Sequence, residues 1–377
     1  MGERFTGNQH ILDVSFCFPV LAKTETGLPK TDMDTFEKIL EKEYKKDKRK
    51  QEGQELLELL IKHSKLSTLK GTFMDGMLAE IHPDGKIHTG YAIFGTDSGR
   101  LASTEPNLMN LPRPIEPDID DYEFWAKYEI RNVFIPDSED EVIQVHDYTN
   151  LEAMLQAEYS GDELLIEMFR EKYDVHGYTA VKVFKLNCSP NEAKKIYPQK
   201  RQLAKSIRFA LQYGGTEFAI ARNAGISKEE ARDSVNDYYT TFKGEAEYKV
   251  RQKNFAHRYG FVYSLMGRRR HLEEINSNNY KMVGYLERVA LNYPNQSGAA
   301  DIMITAQILV EKDERLKKLG YRQIMQVHDE LIGIVPKENV EKSIKIVKEI
   351  METCVKLKHV ELIADGDYSE VSYAKAK

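Results

Sequence analysis

The chain is poor in the features that would place it in an oxidising compartment or a membrane. Its three cysteines, Cys17, Cys188 and Cys354, are far apart and odd in number. They exclude a disulfide scaffold, fit a reducing compartment and offer no metal-ligand spacing. No apolar run reaches the roughly 20 residues that a spanning helix needs. The stretch Ile11 to Ala22 comes nearest, but it carries Asp13 and Pro19 and lacks a basic lead-in, so it does not read as a signal peptide. Gly2 to Thr6 fits the short acylation pattern, which arises easily by chance, and the expected location is cytoplasmic. Positive charge is short as well. The 54 Lys and Arg face 60 Asp and Glu, a net of −6. That balance argues against a surface that grips a polyanion throughout, while leaving room for a local basic cleft. No internal repeat is visible, and with 23 Gly, 12 Pro and 30% charged residues the composition is neither collagen-like nor disordered.

What is present is an ordinary globular composition over 377 residues, enough for about two or three lobes at roughly 150 residues each. From Asp32 to about Leu69 the apolar spacing is helical: Phe36, Ile39 and Leu40, then Leu56 to Ile61, with Gly53 expected to break it into two helices. The basic run Lys45 to Lys50 between them reads as a solvated helix end or as a phosphate-contacting tip. Gly and Pro punctuate short β-prone pieces from Lys86 to Pro114. Glu141 to Val145 is a strand that stops at His146-Asp147, and a helix with Leu151, Met154, Leu155 and Tyr159 follows. Helices broken near Pro190, Pro198, Gly214-Gly215 and Gly244 are expected up to Ala256. The segment Glu287 to Val310 is helical, and Tyr321 to Val335 reads as strand, tight turn, strand. The order predicts a sheet-bearing lobe interrupted by a long helical insertion.

Three constellations carry chemistry. The first, Asp147-Tyr148-Thr149-Asn150-Leu151-Glu152, puts a carboxylate at a strand end, a rigid place for a metal ligand, although Thr149-x-x-Glu152 also reads as a capping box. The second, Gln326 to Ile332, spends a two-residue hairpin tip on His328-Asp329 where Gly or Asn is favoured, and such violations tend to be functional. The third is Arg201, Lys205, Phe209 and Tyr213. Each four-residue step drifts by about 40°, so cations and then aromatics share a face of roughly 120° on one helix. Taken alone, that face reads as an amphipathic helix with snorkelling cations. Taken together, two carboxylates on separate strand ends suit a pair of divalent ions roughly 3.5–4 Å apart, and the helix would deliver a nucleotide to them. The chemistry indicated is phosphoryl transfer onto a nucleic-acid end.

These residues resemble the polymerase domain of family A DNA polymerases, the class of bacterial DNA polymerase I and its phage relatives. The matching pieces occur in the family's order: Thr96 to Thr104, Pro106 to Pro112, Asp147 to Glu152, Asp174-Val175-His176, Arg201 to Gly214, Leu265 to Arg270, Arg288-x-x-x-Asn292-x-x-x-Gln296, and His328-Asp329-Glu330. The resemblance implies an α+β right-hand fold with an antiparallel palm sheet, helical fingers and a reduced helical thumb. Residues 1–86 would be a partial thumb, 87–150 and 276–377 the two parts of the palm, and 151–275 the fingers.

The resemblance also implies roles. Asp147 and Asp329, with the backbone carbonyl of Tyr148, would hold two Mg²⁺ ions. Arg201 and Lys205 would hold the incoming triphosphate, with Lys205 and Glu330 counted among the catalytic residues. Phe209, Tyr213 and His176 would line the nucleotide pocket, and Glu152 would crowd a 2′-hydroxyl while capping its own helix. Phe209 in place of Tyr implies poor use of dideoxynucleotides. Arg100, Asn107, Asn110, Arg288, Asn292, Gln296 and His328 would contact primer-template DNA. The chain departs from the usual pattern at Asn150, Leu151, Ala153, Met154, Ala210 and Ser297. Fewer than 90 residues precede Thr89-Gly90, so no proofreading exonuclease is expected. A phage-like arrangement with an exonuclease or processivity subunit on another chain is. The expected function is template-directed DNA synthesis in a bacterial cell or phage-infected host. The competing readings are a catalytically idle primer-template-binding subunit and a single-subunit RNA polymerase. A basic groove built from Arg201 to Arg208 and Arg268 to Arg270 is expected on an otherwise acidic body.

Overall fold

The computed structural model describes residues 18, 21, 23, 24, 27, 29–40, 47–93, 95–112, 114, 115 and 122–376. Gly2 to Thr6, Cys17 and most of Ile11 to Ala22 lie outside the described residues, as do Lys45 and Lys46 of the basic run. The chain forms two compact units: Met1–His88 with Asp120–Ile130, and Thr89–Ile119 with Arg131–Lys377.

In the first unit, Met33–Leu40 and Lys48–Thr68 are helices. Phe36 and Ile39 of one bury against Leu57 and Ile61 of the other, as their helical spacing demands. Gly53 does not break the helical pattern; it is a buried residue inside the second helix. The second helix starts after Asp47, whose side chain accepts from the Lys50 amide at 3.2 Å and caps it. Gln54 Nε2 of the second helix donates to the carbonyls of Ile39 and Leu40 in the first, at 3.2 and 3.3 Å.

The second unit is built on a four-stranded antiparallel sheet in the order β6-β7-β3-β8. Its strands are β3 (Glu141–Tyr148), β6 (Arg322–Val327), β7 (Glu330–Pro336) and β8 (Ala364–Ser369). Two small hairpins stand apart: β1 (Gly90–Ala92) with β2 (Ala102–Thr104), and β4 (Phe261–Tyr263) with β5 (Arg269–His271). Between β3 and β4 the chain runs through seven longer helices, from Leu151–Ser160 to Lys243–Tyr259, so a helical insertion does interrupt the sheet. One continuous core joins both parts. It includes Val142, Leu331 and Val335 from the sheet, Val347 and Met351 from the Val340–Thr353 helix, and Leu155, Met168, Tyr178, Ile207 and Ile302 from the insertion and the long helix.

Two residues that usually break helices lie inside them, and of these the sequence marks only Gly244 as a break. Pro294 sits inside an uninterrupted helix, Tyr280–Lys312, where tertiary packing on both sides of the buried Pro294 overrides its local cost. The chain turns at Phe242, and Gly244 lies inside the Lys243–Tyr259 helix. A Cβ on Gly244 would come within 2.8 Å of Asp162 Cα, so this glycine serves close approach between helices.

Candidate active site

Antiparallel pairing of β3 with β7 sets Asp147 opposite Glu330, and pairing with β8 sets it opposite Asp365. The β6–β7 turn, His328-Asp329, therefore lies at the same end of the sheet as Asp147. His328 takes φ 53° there, a left-handed conformation that few non-glycine residues adopt. Tyr91 braces the hairpin: its hydroxyl accepts from Gln326 N at 3.1 Å and donates to Gln326 O at 2.9 Å. Burial lifts the Asp329 carboxyl above its ordinary range; Arg100 opposes the shift, while the like charges of Glu152 and Glu330 add to it.

Glu330 is held from two sides. Arg131 Nη1 donates to it at 3.1 Å, and the Tyr373 hydroxyl makes a very short contact with the same oxygen. Arg131 is 3% exposed and also donates through Nε to Pro112 O at 2.9 Å. Neither Arg131 nor Tyr373 carries a local sequence signal, because both act on a carboxylate far along the chain. The Tyr148 hydroxyl is committed too, donating to Met351 O at 2.7 Å, with Cys354 Sγ at 3.3 Å. Any ligand role for Tyr148 falls to its backbone carbonyl.

Glu152 corrects the capping reading. The helix Leu151–Ser160 is entered through Asn150 in a left-handed conformation, with no side-chain cap. The Glu152 carboxylate turns outward and accepts from Arg100 Nη2 at 2.5 Å, Gln212 Nε2 at 2.9 Å and Tyr213 OH at 2.9 Å. It thus ties the turn bearing Arg100 to the end of the Pro198–Gln212 helix. Desolvation, aided by the Glu152 charge, pushes the Tyr213 phenol up to about 12, so it remains a donor at neutral pH.

The Pro198–Gln212 helix presents its two cations unequally. Arg201 is in a bidentate pair with Asp174, Nε to Oδ1 at 2.8 Å and Nη2 to Oδ2 at 2.7 Å. Burial would raise Asp174, but Arg201 and the Gly177 amide outweigh it and hold the carboxyl below its ordinary value. Lys205 makes no ion pair among the described residues and lies 6.0 Å from the centre of the Phe209 ring. Phe209 and Tyr213 are 45% and 40% exposed, unusual for large rings on a helix whose opposite face is core. His176 meets Phe209 at 5.6 Å between ring centres, and burial with the cation of Arg208 drops its pKa to about 4. Beneath the helix, Lys249 Nζ donates to Leu211 O at 3.0 Å and pairs with the buried Glu245 at 2.7 Å.

Of the remaining candidates, Asn292 Nδ2 donates to Tyr213 O at 3.1 Å, which leaves Arg288 and Gln296 on the same helical row. Gly214, at φ 68°, packs so closely on Arg288 that a Cβ would lie 2.9 Å from its Cγ. Asn107 accepts from Ser103 Oγ at 3.1 Å, and the same hydroxyl accepts from Met109 N, whose Sδ lies 3.4 Å from the His328 amide. Asn110 is exposed in the turn Leu108–Asn110.

The expected basic groove is largely neutralised by the protein's own carboxylates. Besides Arg201 with Asp174, Arg268 pairs with Asp301 at 2.6 Å and Arg270 with Asp97 at 2.7 Å. Arg208 is 5% exposed and faces Glu245. These partners lie far away in sequence, so the basic runs look freer in the sequence than they are.

Two carboxylates and a backbone carbonyl at one sheet end form a hard-oxygen donor set, and the like charges crowding Asp329 are what a cation relieves. Among the described residues no group of three or more His, Cys, Asp or Glu side chains forms a cage of its own.

Known proteins resemble this chain over most of its length. The chain is 34% identical over 356 residues to DNA polymerase I of Geobacillus stearothermophilus, covering 94% of this chain and 38% of that protein. It is 33% identical over 340 residues to DNA polymerase I of Bacillus subtilis strain 168, covering 90% and 36%. It therefore spans well under half the length of these relatives. Among solved structures, the POL domain of Pol1 from M. smegmatis, in complex with DNA primer-template and dNTP, superposes with a TM-score of 0.84 at 30% identity. The match covers 98% of this chain and 60% of that one. The fold is thus the right-hand polymerase fold. The sequence profile of DNA polymerase family A matches residues 9–371, and the chain belongs to that family.

Proposed function

We propose that the chain is a template-directed DNA polymerase that adds deoxynucleotides to a primer 3′ end. The observation that carries the reading is the convergence at one sheet end of Asp147, Asp329 and Glu152 with the exposed Phe209–Tyr213 face. In this reading the sheet is the palm, the helical insertion the fingers and the first unit part of a thumb.

Asp147, Asp329 and the Tyr148 carbonyl are the groups that would hold Mg²⁺, which when bound lowers the pKa of an attacking hydroxyl and neutralises charge on phosphate oxygens. Lys205 and the free edge of Arg201 bind the triphosphate; Phe209, Tyr213 and His176 line the sugar and base. Kept neutral at pH 7 by burial and the neighbouring Arg208 cation, His176 adds no full charge to that pocket. Glu152, fixed by three donors, occupies the position that a 2′-hydroxyl would need. Arg131 and Tyr373 fix the Glu330 carboxylate beside Asp329. Arg100, Asn107, Asn110, Arg288, Asn292, Gln296 and His328 contact primer and template, and Glu330 supports the primer end through its clamp. Primer extension with Mg²⁺ and deoxynucleotides tests the proposal. Asp147→Ala and Asp329→Ala should each abolish extension, and full activity in either variant refutes it.

A further inference from the structure

One surface outside the residues assigned above is unusual in composition. From Phe255 to His271 the sequence holds four arginines, two histidines and four Phe or Tyr rings, with no Asp or Glu. The end of the Lys243–Tyr259 helix and the β4–β5 hairpin bring the rings together. Phe255 lies 4.6 Å from Tyr259, 5.7 Å from Phe261 and 6.0 Å from Tyr263, centre to centre, and Phe261 lies 5.0 Å from Tyr263. The Arg269 guanidinium sits 4.8 Å over Phe261 and 5.7 Å over Tyr263, and that of Arg258 sits 5.3 Å over Tyr259.

The core does not require these rings. The interior of this corner is filled by Ala256, Val262, Leu272 and Ile275, all nearly inaccessible, so the aromatics are the outward face of the same segment. Tyr259 is 50% and Tyr263 39% exposed. Arg258 and Arg269 form no ion pair among the described residues, in contrast to Arg268 and Arg270 on the same hairpin. The Arg270–Asp97 pair and the packing of Arg268 on Gly99 fasten the hairpin to the turn that carries Arg100.

We propose that this surface is a binding site for single-stranded nucleic acid, taking unpaired bases on Tyr259 and Tyr263 and backbone phosphates on Arg258 and Arg269. The occupant follows from the chemistry. Exposed rings interleaved with unpaired arginines match a ligand that offers both flat aromatic faces and regularly spaced anions. A duplex hides its base faces and would meet only the arginines.

The test uses the full chain without nucleotide or metal. Anisotropy of a short fluorescein-labelled oligothymidylate is compared with that of a blunt duplex of equal length. Tyr259→Ser and Tyr263→Ser should each weaken single-strand binding by about 5-fold or more while leaving duplex binding unchanged. Arg258→Gln with Arg269→Gln should weaken both and flatten the salt dependence. Tyr259→Phe and Tyr263→Phe keep the stacking face and should bind as the parent does, which separates lost stacking from lost folding. Single-strand affinity within twofold of the parent in both Ser variants, an equal loss on duplex, or a matching loss in the Phe variants overturns the proposal. No catalytic step enters this measurement, so its outcome is independent of whether the chain extends primers.

Discussion

Replacing Glu245 by Gln should destabilise the protein more than replacing its partner Lys249 by Met, although both remove the same ion pair. Glu245 is 1% exposed, lies 2.7 Å from Lys249 Nζ and accepts from Tyr238 OH at 2.7 Å. Arg208, 5% exposed, adds a second cation to its field. The amide of Gln keeps the shape and an acceptor for Tyr238, but strands two buried cations, and leaving a buried charge unpaired costs about 3–5 kcal/mol. In Lys249→Met the carboxylate still has Arg208 and Tyr238. The main loss is the charge-assisted bond from Lys249 to Leu211 O, about 1.5–3 kcal/mol. Urea unfolding at constant slope reads both as shifts in midpoint. The sign with pH also follows. Burial alone would raise Glu245, but Lys249 and Arg208 hold it below its ordinary value. Its contribution is therefore present above the unfolded value of about 4.3 and lost as pH falls toward the folded one. Glu245→Gln should flatten that acid limb. A Lys249→Met variant as unstable as Glu245→Gln, or an unchanged acid limb, refutes the reasoning.

Glu152→Ala removes the acceptor of three donors and should raise ribonucleotide incorporation, with single-nucleotide insertion kinetics as the measure; unchanged discrimination refutes the gate role. Asp174→Asn keeps a cap on the Val175–Phe184 helix but loses the charge that aligns Arg201, so KM for deoxynucleotide should rise about 10-fold with kcat nearly unchanged, given a partly exposed charge-assisted pair. An equal fall in kcat alone would assign Asp174 elsewhere. His146 is fully buried and its pKa is pushed down to about 3 by burial, then by Lys348. Because the unfolded chain takes up this proton near pH 6.5 and the folded one does not, stability is full above that pH and declines below it. An NMR titration midpoint above 6 for His146 would contradict this.

Much of the site was legible because its parts are local. The hairpin tip at His328-Asp329 breaks a turn rule, Asp147 ends a short apolar run, and Arg201, Lys205, Phe209 and Tyr213 keep helical spacing whatever surrounds them. What sequence hid is tertiary. Glu152 fits a capping box, yet Asn150 takes the left-handed entry and the carboxylate finds Arg100, Gln212 and Tyr213. Lys249 and Glu245 look like a solvated pair one helical turn apart, but the Lys243–Tyr259 helix turns them inward under Leu211. The arginine runs read as a free basic groove because Asp174, Asp301 and Asp97 are distant in sequence. Arg131 and Tyr373, which hold Glu330, have no pattern that a window of neighbouring residues contains.

The placement of β3 at the middle of its sheet has a consequence in time. The strand bearing Asp147 finds its two neighbours only in β7 and β8, which end at Pro336 and Ser369. Nearly the whole helical insertion is made before either exists. A nascent chain that has produced the full Arg201-to-Tyr213 face still lacks both ladders that align Asp147. Pairing at such separation is slow, because the intervening chain must be ordered or looped out first. Activity should therefore switch on late in refolding, after helical signal has recovered, and the first half of the molecule waits for the last.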